Sequence, residues 1–120
     1  MAINKGFQFT SANNGKQRRR KGRVRTTIQG NFTIGGKNKI IECTVVDLGM
    51  GGLAFQTGVV LYQGEKIRAN FFLEDSLLEI DGVICRLTGK NAVMRYEDIP
   101  ESVSAKIQAY INKIYYNEST

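Results

Sequence analysis

The chain has 120 residues, of which 42% are hydrophobic, and it carries a formal net charge of +6. A chain of this length is expected to form one domain that buries about two-thirds of its unfolded surface. No apolar run approaches the ~20 residues that a membrane-spanning helix needs, and the first ten residues lack the apolar core of a signal peptide. We therefore expect a cytoplasmic domain without membrane insertion.

Positive charge is concentrated in the N-terminal third of the chain. No Asp or Glu precedes Glu42, and the densest cationic segment is Arg18-Arg19-Arg20-Lys21-Gly22-Arg23. Such a segment attracts an anion, which could be a nucleotide, a nucleic acid or an acidic membrane. Alternatively, the basic segment is only a solvated tail. We predict a flexible tail at residues 1–17, followed by a basic ligand-binding arm at residues 18–25.

The first half of the chain predicts three short strands, at residues 24–28, 40–46 and 53–56. Between the first two, residues 31–39 contain Gly35-Gly36 and indicate a hairpin or loop. Between the second and third, the segment from Asp47 to Gly52 is predicted to interrupt the sheet. The fold class at this stage is mainly β.

The second half predicts three more strands, at residues 66–73, 77–87 and 92–96. Within the fifth strand, Asp81-Gly82 suggests a β-bulge. The period then changes to that of a helix over residues 99–116, followed by a short tail at 117–120. One helix face carries Ile99, Val103, Ile107, Tyr110, Ile111 and Ile114. We therefore predict a small six-stranded antiparallel β-barrel that is plugged or flanked by a C-terminal amphipathic α-helix.

The composition does not favour an enzyme. The chain has no histidine, and its two cysteines, Cys43 and Cys85, lie in apolar segments. We expect both to be buried small hydrophobic residues, without a disulfide or a zinc site. With no nucleophile next to a base and no metal-binding cluster, we predict a binding protein that needs no cofactor.

Two motifs indicate which ligand is bound. The first has two arginines separated by three residues, Arg19-Arg20-Lys21-Gly22-Arg23, and the second is Asp47-Leu48-Gly49-Met50-Gly51-Gly52. Guanidinium groups bind phosphate oxygens and the acceptors of guanine, while a carboxylate accepts from the N–H edge of guanine. Both motifs resemble those of the PilZ family, bacterial receptor domains for cyclic di-GMP. The resemblance extends from about residue 17 to residue 115, within a predicted domain at residues 18–116.

The resemblance implies a role for each matching residue. Arg19 and Arg23 would clamp the dinucleotide, and Arg18 would help an intercalated ligand dimer to bind. Asp47 would accept hydrogen bonds from guanine, although an aspartate in a turn can equally cap its own backbone. Arg86 would stack on or hydrogen-bond a guanine, or would simply be an outward-facing strand arginine. The glycines at the end of the second motif, including Gly52, would set the shape of the turn.

Gly49 departs from the family pattern, which has serine at this position. A lost hydroxyl contact is worth about 0.5–1.5 kcal/mol, or about 1.5–3 kcal/mol when the partner is charged. This loss would weaken binding by about 3- to 100-fold, without abolishing it. On this account, restoring serine at position 49 should tighten binding.

The proposed mechanism is that the arm folds over cyclic di-GMP and changes the surface offered to an unidentified protein partner. Two other functions remain open. The first is a degenerate PilZ-like interaction module that no longer binds nucleotide. The second, less favoured, is a small basic barrel that binds single-stranded nucleic acid by stacking bases on Tyr62, Phe71 or Phe72.

Overall fold

The computed structural model describes the backbone of residues 22–119 and the side chains of residues 22–116. Six strands precede one helix, α1 (Glu101–Ser119). The strands are β1 (Arg23–Ile34), β2 (Ile41–Gly49), β3 (Gly52–Thr57), β4 (Lys66–Leu73), β5 (Ser76–Thr88) and β6 (Asn91–Tyr96). No helix in this part of the chain is long and apolar enough to cross a bilayer.

The strands form a closed antiparallel barrel in the order β1-β2-β3-β6-β5-β4. This confirms the predicted fold class. Closure leaves no exposed sheet edge, and the alternating apolar side chains of all six strands fill the interior. At its centre, the rings of Phe32 and Phe55 pack at 5.1 Å between centroids. Cys43 is buried as predicted, and burial raises the pKa of its thiol to about 11. Cys85 is only partly buried.

The first strand is longer than predicted. Residues 31–34, which we predicted to be part of a loop, continue β1 because all four pair with β4, and the first two also pair with β2. The turn itself begins at Gly35, whose φ of 59° lies in the left-handed region that glycine adopts without strain. The predicted interruption after Val46 is also shorter, because β2 continues to Gly49.

The bulge predicted at Asp81-Gly82 is wrong. These two residues pair in regular register with β4, and the irregularity of β5 lies between Ile84 and Arg86, where it faces β6. Gly82 has a different physical role. A Cβ at this position would lie 2.6 Å from the carbonyl oxygen of Arg95, so the glycine permits close packing of β5 on β6.

Helix α1 packs its predicted apolar face against the barrel, mainly on β1, β2 and β4. Ile107 and Ile111 have no exposed surface. The helix begins at Glu101, two residues later than predicted, and the carbonyl of Pro100 accepts the N–H groups of Val103 and Ser104. It ends at Ser119, so residues 117–119 are helical and do not form the predicted tail. The helix therefore belongs to the core of the fold.

We expect the change Ile107→Ala to lower the free energy of unfolding by about 2–5 kcal/mol, because it opens a cavity between α1 and the barrel. The matched control is Gln108→Ala, on the exposed side of the same helical turn. Denaturant titration of both variants measures the difference. Equal effects of the two changes would contradict a helix seated on the barrel.

Candidate functional site

A β-bulge in each of β1 and β2 shapes the outer surface of the barrel. The register between β1 and β2 shifts between Arg25 and Ile28, and the register between β2 and β3 shifts between Val45 and Asp47. A bulge inserts an unpaired residue and re-aims its neighbours. As a result Leu48 is buried in the core, while Asp47 is partly exposed on the outer face.

Arg23 and Asp47, one residue from each predicted motif, form an ion pair. Arg23 Nη2 lies 3.1 Å from Asp47 Oδ2, and the two side chains are 35% and 34% exposed. Solvent screening limits an exposed pair to about 0–1 kcal/mol. The pair therefore brings the two side chains together without holding them rigidly. Arg18 and Arg19 lie outside the described residues, so their roles stay predictions.

Asp47 also lines a cleft on the outside of the barrel, at the two bulges. The cleft has a volume of about 500 Å³. Its lining is mostly polar and consists of Arg25, Thr26, Thr27, Val46, Asp47, Gln56 and Asn91. A cationic side chain, a carboxylate, two hydroxyls and two amides thus face one concave surface, which can bind a polar, partly anionic ligand.

The sequence analysis missed Gln56 and Asn91. These residues lie opposite each other on β3 and β6, and Gln56 Nε2 donates a hydrogen bond to Asn91 Oδ1 at 2.8 Å. Each is a single amide near the end of a strand, with no motif around it. Only the pairing of β3 with β6 brings them to the cleft of Asp47.

Tyr96 is a third residue to which the sequence analysis assigned no role. Its hydroxyl donates to the carbonyl of Gly49 at 2.8 Å, and its backbone N–H donates to the carbonyl of Gly51 at 3.0 Å. Burial raises the pKa of Tyr96; the charge of Asp47 adds to this rise and that of Arg23 opposes it. Tyr96 therefore holds the turn between β2 and β3 from both sides.

Gly52 has a structural role. A Cβ at this position would collide with the carbonyl oxygen of Met94 on β6, so only glycine permits this approach of β3 to β6. Gly51 differs, because a Cβ there would meet no atom within 4 Å. Gly49 is also crowded, because a Cβ at this position would lie closest to the guanidinium of Arg23.

Arg86 lies on the outer face but not beside Asp47. The two residues lie at opposite ends of one row of paired residues that crosses four strands. From β5 to β2 the row is Arg86, Val93, Ala54 and Asp47. Three strand spacings correspond to about 14 Å. Arg86 is exposed, and a ligand must extend across β3 and β6 to contact both residues.

The profile of the PilZ domain matches residues 17–113 of the chain. The chain belongs to the PilZ family. PilZ domains are binding domains rather than enzymes. Among curated protein sequences, none matches this PilZ domain significantly.

The fold is similar to that of several solved structures. One is the inhibitor of motility MotI/DgrA of Bacillus subtilis, with a TM-score of 0.74 and 17% identity over 87% of this chain; this chain covers 54% of that protein. Another is the PilZ domain of YcgR from Escherichia coli with c-di-GMP, with a TM-score of 0.67 and 16% identity over 85% of this chain and 95% of that one.

The PilZ domain of CeSA from a cellulose-synthesizing bacterium has a TM-score of 0.61 and 16% identity, over 78% of this chain and 97% of that one. At such low identities the three structures show that the fold is shared, and they do not by themselves assign the ligand of this chain.

We expect Gly52→Ala to lower the free energy of unfolding by about 1–3 kcal/mol, because the added methyl group forces β3 away from β6. Gly51→Ala, one residue earlier in the same turn, is the matched control and should change stability by less than about 1 kcal/mol. Thermal unfolding compares the two. A Gly52→Ala protein as stable as Gly51→Ala would show that this close approach is not required.

The change Tyr96→Phe should lower stability at pH 7 by about 0.5–1.5 kcal/mol, because Gly49 loses a hydrogen bond. The raised pKa of Tyr96 makes this difference depend on pH. Above pH ~10 the tyrosine ionises in the unfolded chain but not in the folded protein, which favours unfolding of the parent protein alone. The stability difference should therefore shrink above pH 10 in urea titrations. A difference that stays constant with pH would contradict this assignment.

Proposed function

We propose that this PilZ domain is a receptor for cyclic di-GMP that acts on a protein partner. The observation that carries the proposal is the adjacency of Arg23 and Asp47 at the edge of the polar cleft, 3.1 Å apart. One comes from each of the two motifs by which the chain resembles cyclic di-GMP receptors. Membership of the PilZ family supports the same ligand.

The chemistry of the two side chains suits the two ends of a guanine nucleotide. The carboxylate of Asp47 accepts hydrogen bonds from the N1–H and N2–H₂ groups of guanine, and bases that lack this pair of donors would bind less well. The guanidinium of Arg23 donates two parallel hydrogen bonds to a phosphate or to guanine O6 and N7. Arg25, which also lines the cleft, adds positive charge next to the phosphates.

The size of the cleft supports a ligand of this class. Small-molecule sites usually have volumes of about 300–1,000 Å³, and this cleft has about 500 Å³. The chain from Arg19 to Arg23 spans at most about 14 Å. In the proposed complex Arg19 therefore binds the same nucleotide as Arg23, while Arg18 contacts a second, intercalated nucleotide.

Residues 23–25 of the predicted arm already belong to β1, so ligand binding is proposed to fold only the preceding residues, 18–22, over the cleft and to change the surface available to a partner. The hydroxyls of Thr26 and Tyr110 lie 3.4 Å apart, and Thr26 also lines the cleft. Because Tyr110 belongs to α1, this contact connects the cleft directly to the helix. The partner itself is not identified.

The surface aromatics do not favour the alternative of single-stranded nucleic acid. Phe71 is buried in the core, while Tyr62 and Phe72 are 65% and 60% exposed. Tyr62 lies in the loop before β4, and Phe72 lies near the end of β4, about 20 Å along the strand from its first residue, Lys66. Successive bases stack on neighbouring rings, and these two rings are too far apart for that.

Calorimetric titration of cyclic di-GMP into the protein tests the proposal. We expect saturable binding that the double change Arg19→Ala, Arg23→Ala removes, because each lost charged contact costs about 1.5–3 kcal/mol. The matched control is Lys37→Ala, Lys39→Ala, which removes the same charge from the exposed turn after β1. The stoichiometry distinguishes one nucleotide from an intercalated pair.

Three outcomes would contradict the proposal. Binding lost equally in the Lys37→Ala, Lys39→Ala control would indicate only nonspecific attraction by net charge. No binding at high micromolar ligand would identify a PilZ module that acts through protein contacts alone. Strongly salt-dependent binding of single-stranded DNA, without binding of cyclic di-GMP, would identify a nucleic-acid-binding barrel.

A further inference from the structure

We propose that Gly49 is a positioning residue: its missing side chain lets Arg23 lie across β2 and pair with Asp47 before any ligand arrives. This inference rests on the proposed function, because it concerns the same two ligand-binding side chains. Gly49 then does more than omit the hydroxyl of the serine that the family pattern has at this position.

Strand register explains why the arginine must cross this position. Arg23 of β1 lies directly opposite Gly49 of β2, and Asp47 lies two residues earlier on β2. Residues two apart on a strand face the same side, so Gly49 and Asp47 share the outer face. Arg23 reaches Asp47 diagonally, and its side chain passes over Gly49 on the way.

Distances show that a larger residue does not fit under this side chain. A Cβ at Gly49 would lie 2.8 Å from Arg23 Nη1 and 3.1 Å from Arg23 Cγ. Real Cβ atoms essentially never approach another heavy atom within 3.0 Å. Although Gly49 faces outward, it is buried, and the atoms nearest to the position of its missing Cβ belong to Arg23.

The backbone around Gly49 is held more firmly than the arginine. Tyr96 donates its hydroxyl hydrogen to the carbonyl of Gly49, and the N–H of Met50 donates to the carbonyl of Gly22 at 2.9 Å. A Cβ at Gly49 would lie 3.2 Å from that Gly22 oxygen, a contact that needs a shift of only a few tenths of an ångström. The guanidinium at the end of a flexible side chain moves most easily, so alanine or serine at position 49 displaces Arg23 from Asp47.

This pairing makes the ligand-free site compete with its own ligand. Guanine and phosphate need Asp47 and Arg23, and both are already engaged with each other. A partly exposed ion pair typically stabilises the paired state by a factor of about two to five. Ligand affinity falls by the same factor, since binding must replace the pair.

The lost-hydroxyl account and the positioning account predict different results for alanine. If Gly49 merely lacks a hydroxyl contact, serine tightens binding and alanine leaves it unchanged. If Gly49 positions Arg23, both changes remove the internal competitor. Both then tighten binding by about two- to five-fold, the factor by which the pair is favoured.

The first readout needs no ligand. The ¹⁵N–¹H resonance of the Arg23 side-chain Nε, assigned by its disappearance in Arg23→Lys, reports the pairing. We expect Gly49→Ala to shift this resonance in the same direction as Asp47→Asn does. Adding Asp47→Asn to Gly49→Ala should cause no further shift. Gly51→Ala, where a Cβ has free space, should leave the resonance in place.

An Arg23 resonance that does not respond to Asp47→Asn in the parent protein would overturn the proposal, and this variant leaves Gly49 untouched. The proposal would also be overturned if Asp47→Asn shifted the Arg23 resonance equally in the parent protein and in Gly49→Ala. These measurements decide the inference even if the protein binds no cyclic di-GMP, in which case only the proposed function fails.

The second readout is calorimetric titration with cyclic di-GMP of Gly49→Ala, Gly49→Ser and the control Gly51→Ala. Binding two- to five-fold tighter in both position-49 variants, with no change in the control, supports the proposal. Tighter binding by Gly49→Ser alone, or weaker binding by Gly49→Ala, would overturn it.

Discussion

Two buried residues three positions apart on β2 set the geometry of the site. Val45 and Leu48 both fill the barrel interior, with 1% and 0% of their surfaces exposed. A regular strand returns to the same face every second residue, so this spacing requires one extra residue between them. Val46 is that residue, at the register shift against β3. The packing of the core thereby turns the carboxylate of Asp47 to the outer face and opens the cleft beside it.

The turn after β2 is held by contacts from both faces of the sheet. The side chain of Arg23 covers Gly49 from outside, and the hydroxyl of Tyr96 binds its carbonyl. Tyr96 ends β6, directly before the segment that leads to α1, and Thr26 of the cleft contacts Tyr110 of the same helix. The site and the helix are therefore neighbours in the fold, which gives the proposed receptor a short physical connection between ligand and partner surface.

The number of strands and the apolar face of the helix follow from local periodicity, and the short connections between strands favour an antiparallel arrangement. The errors in the prediction lie where strand pairing overrides the local pattern. The prediction placed residues 31–34 in a loop because two glycines follow them, yet their pairing with β4 keeps them extended. Gly82 suggested a bulge, but its close packing against β6 needs a glycine in a regular strand.

In the candidate site, too, some features follow from the sequence and others depend on the tertiary structure. The sequence by itself determined the charge asymmetry, the two motifs with Arg23 and Asp47, and the departure at Gly49, because these are properties of short segments. Only the tertiary structure decided that Arg23 pairs with Asp47 across Gly49, that Gln56 and Asn91 join the cleft, and that Arg86 lies three strands away. The physical reason is barrel closure, which brings together side chains from distant parts of the chain in a register set by bulges and core packing rather than by any local signal.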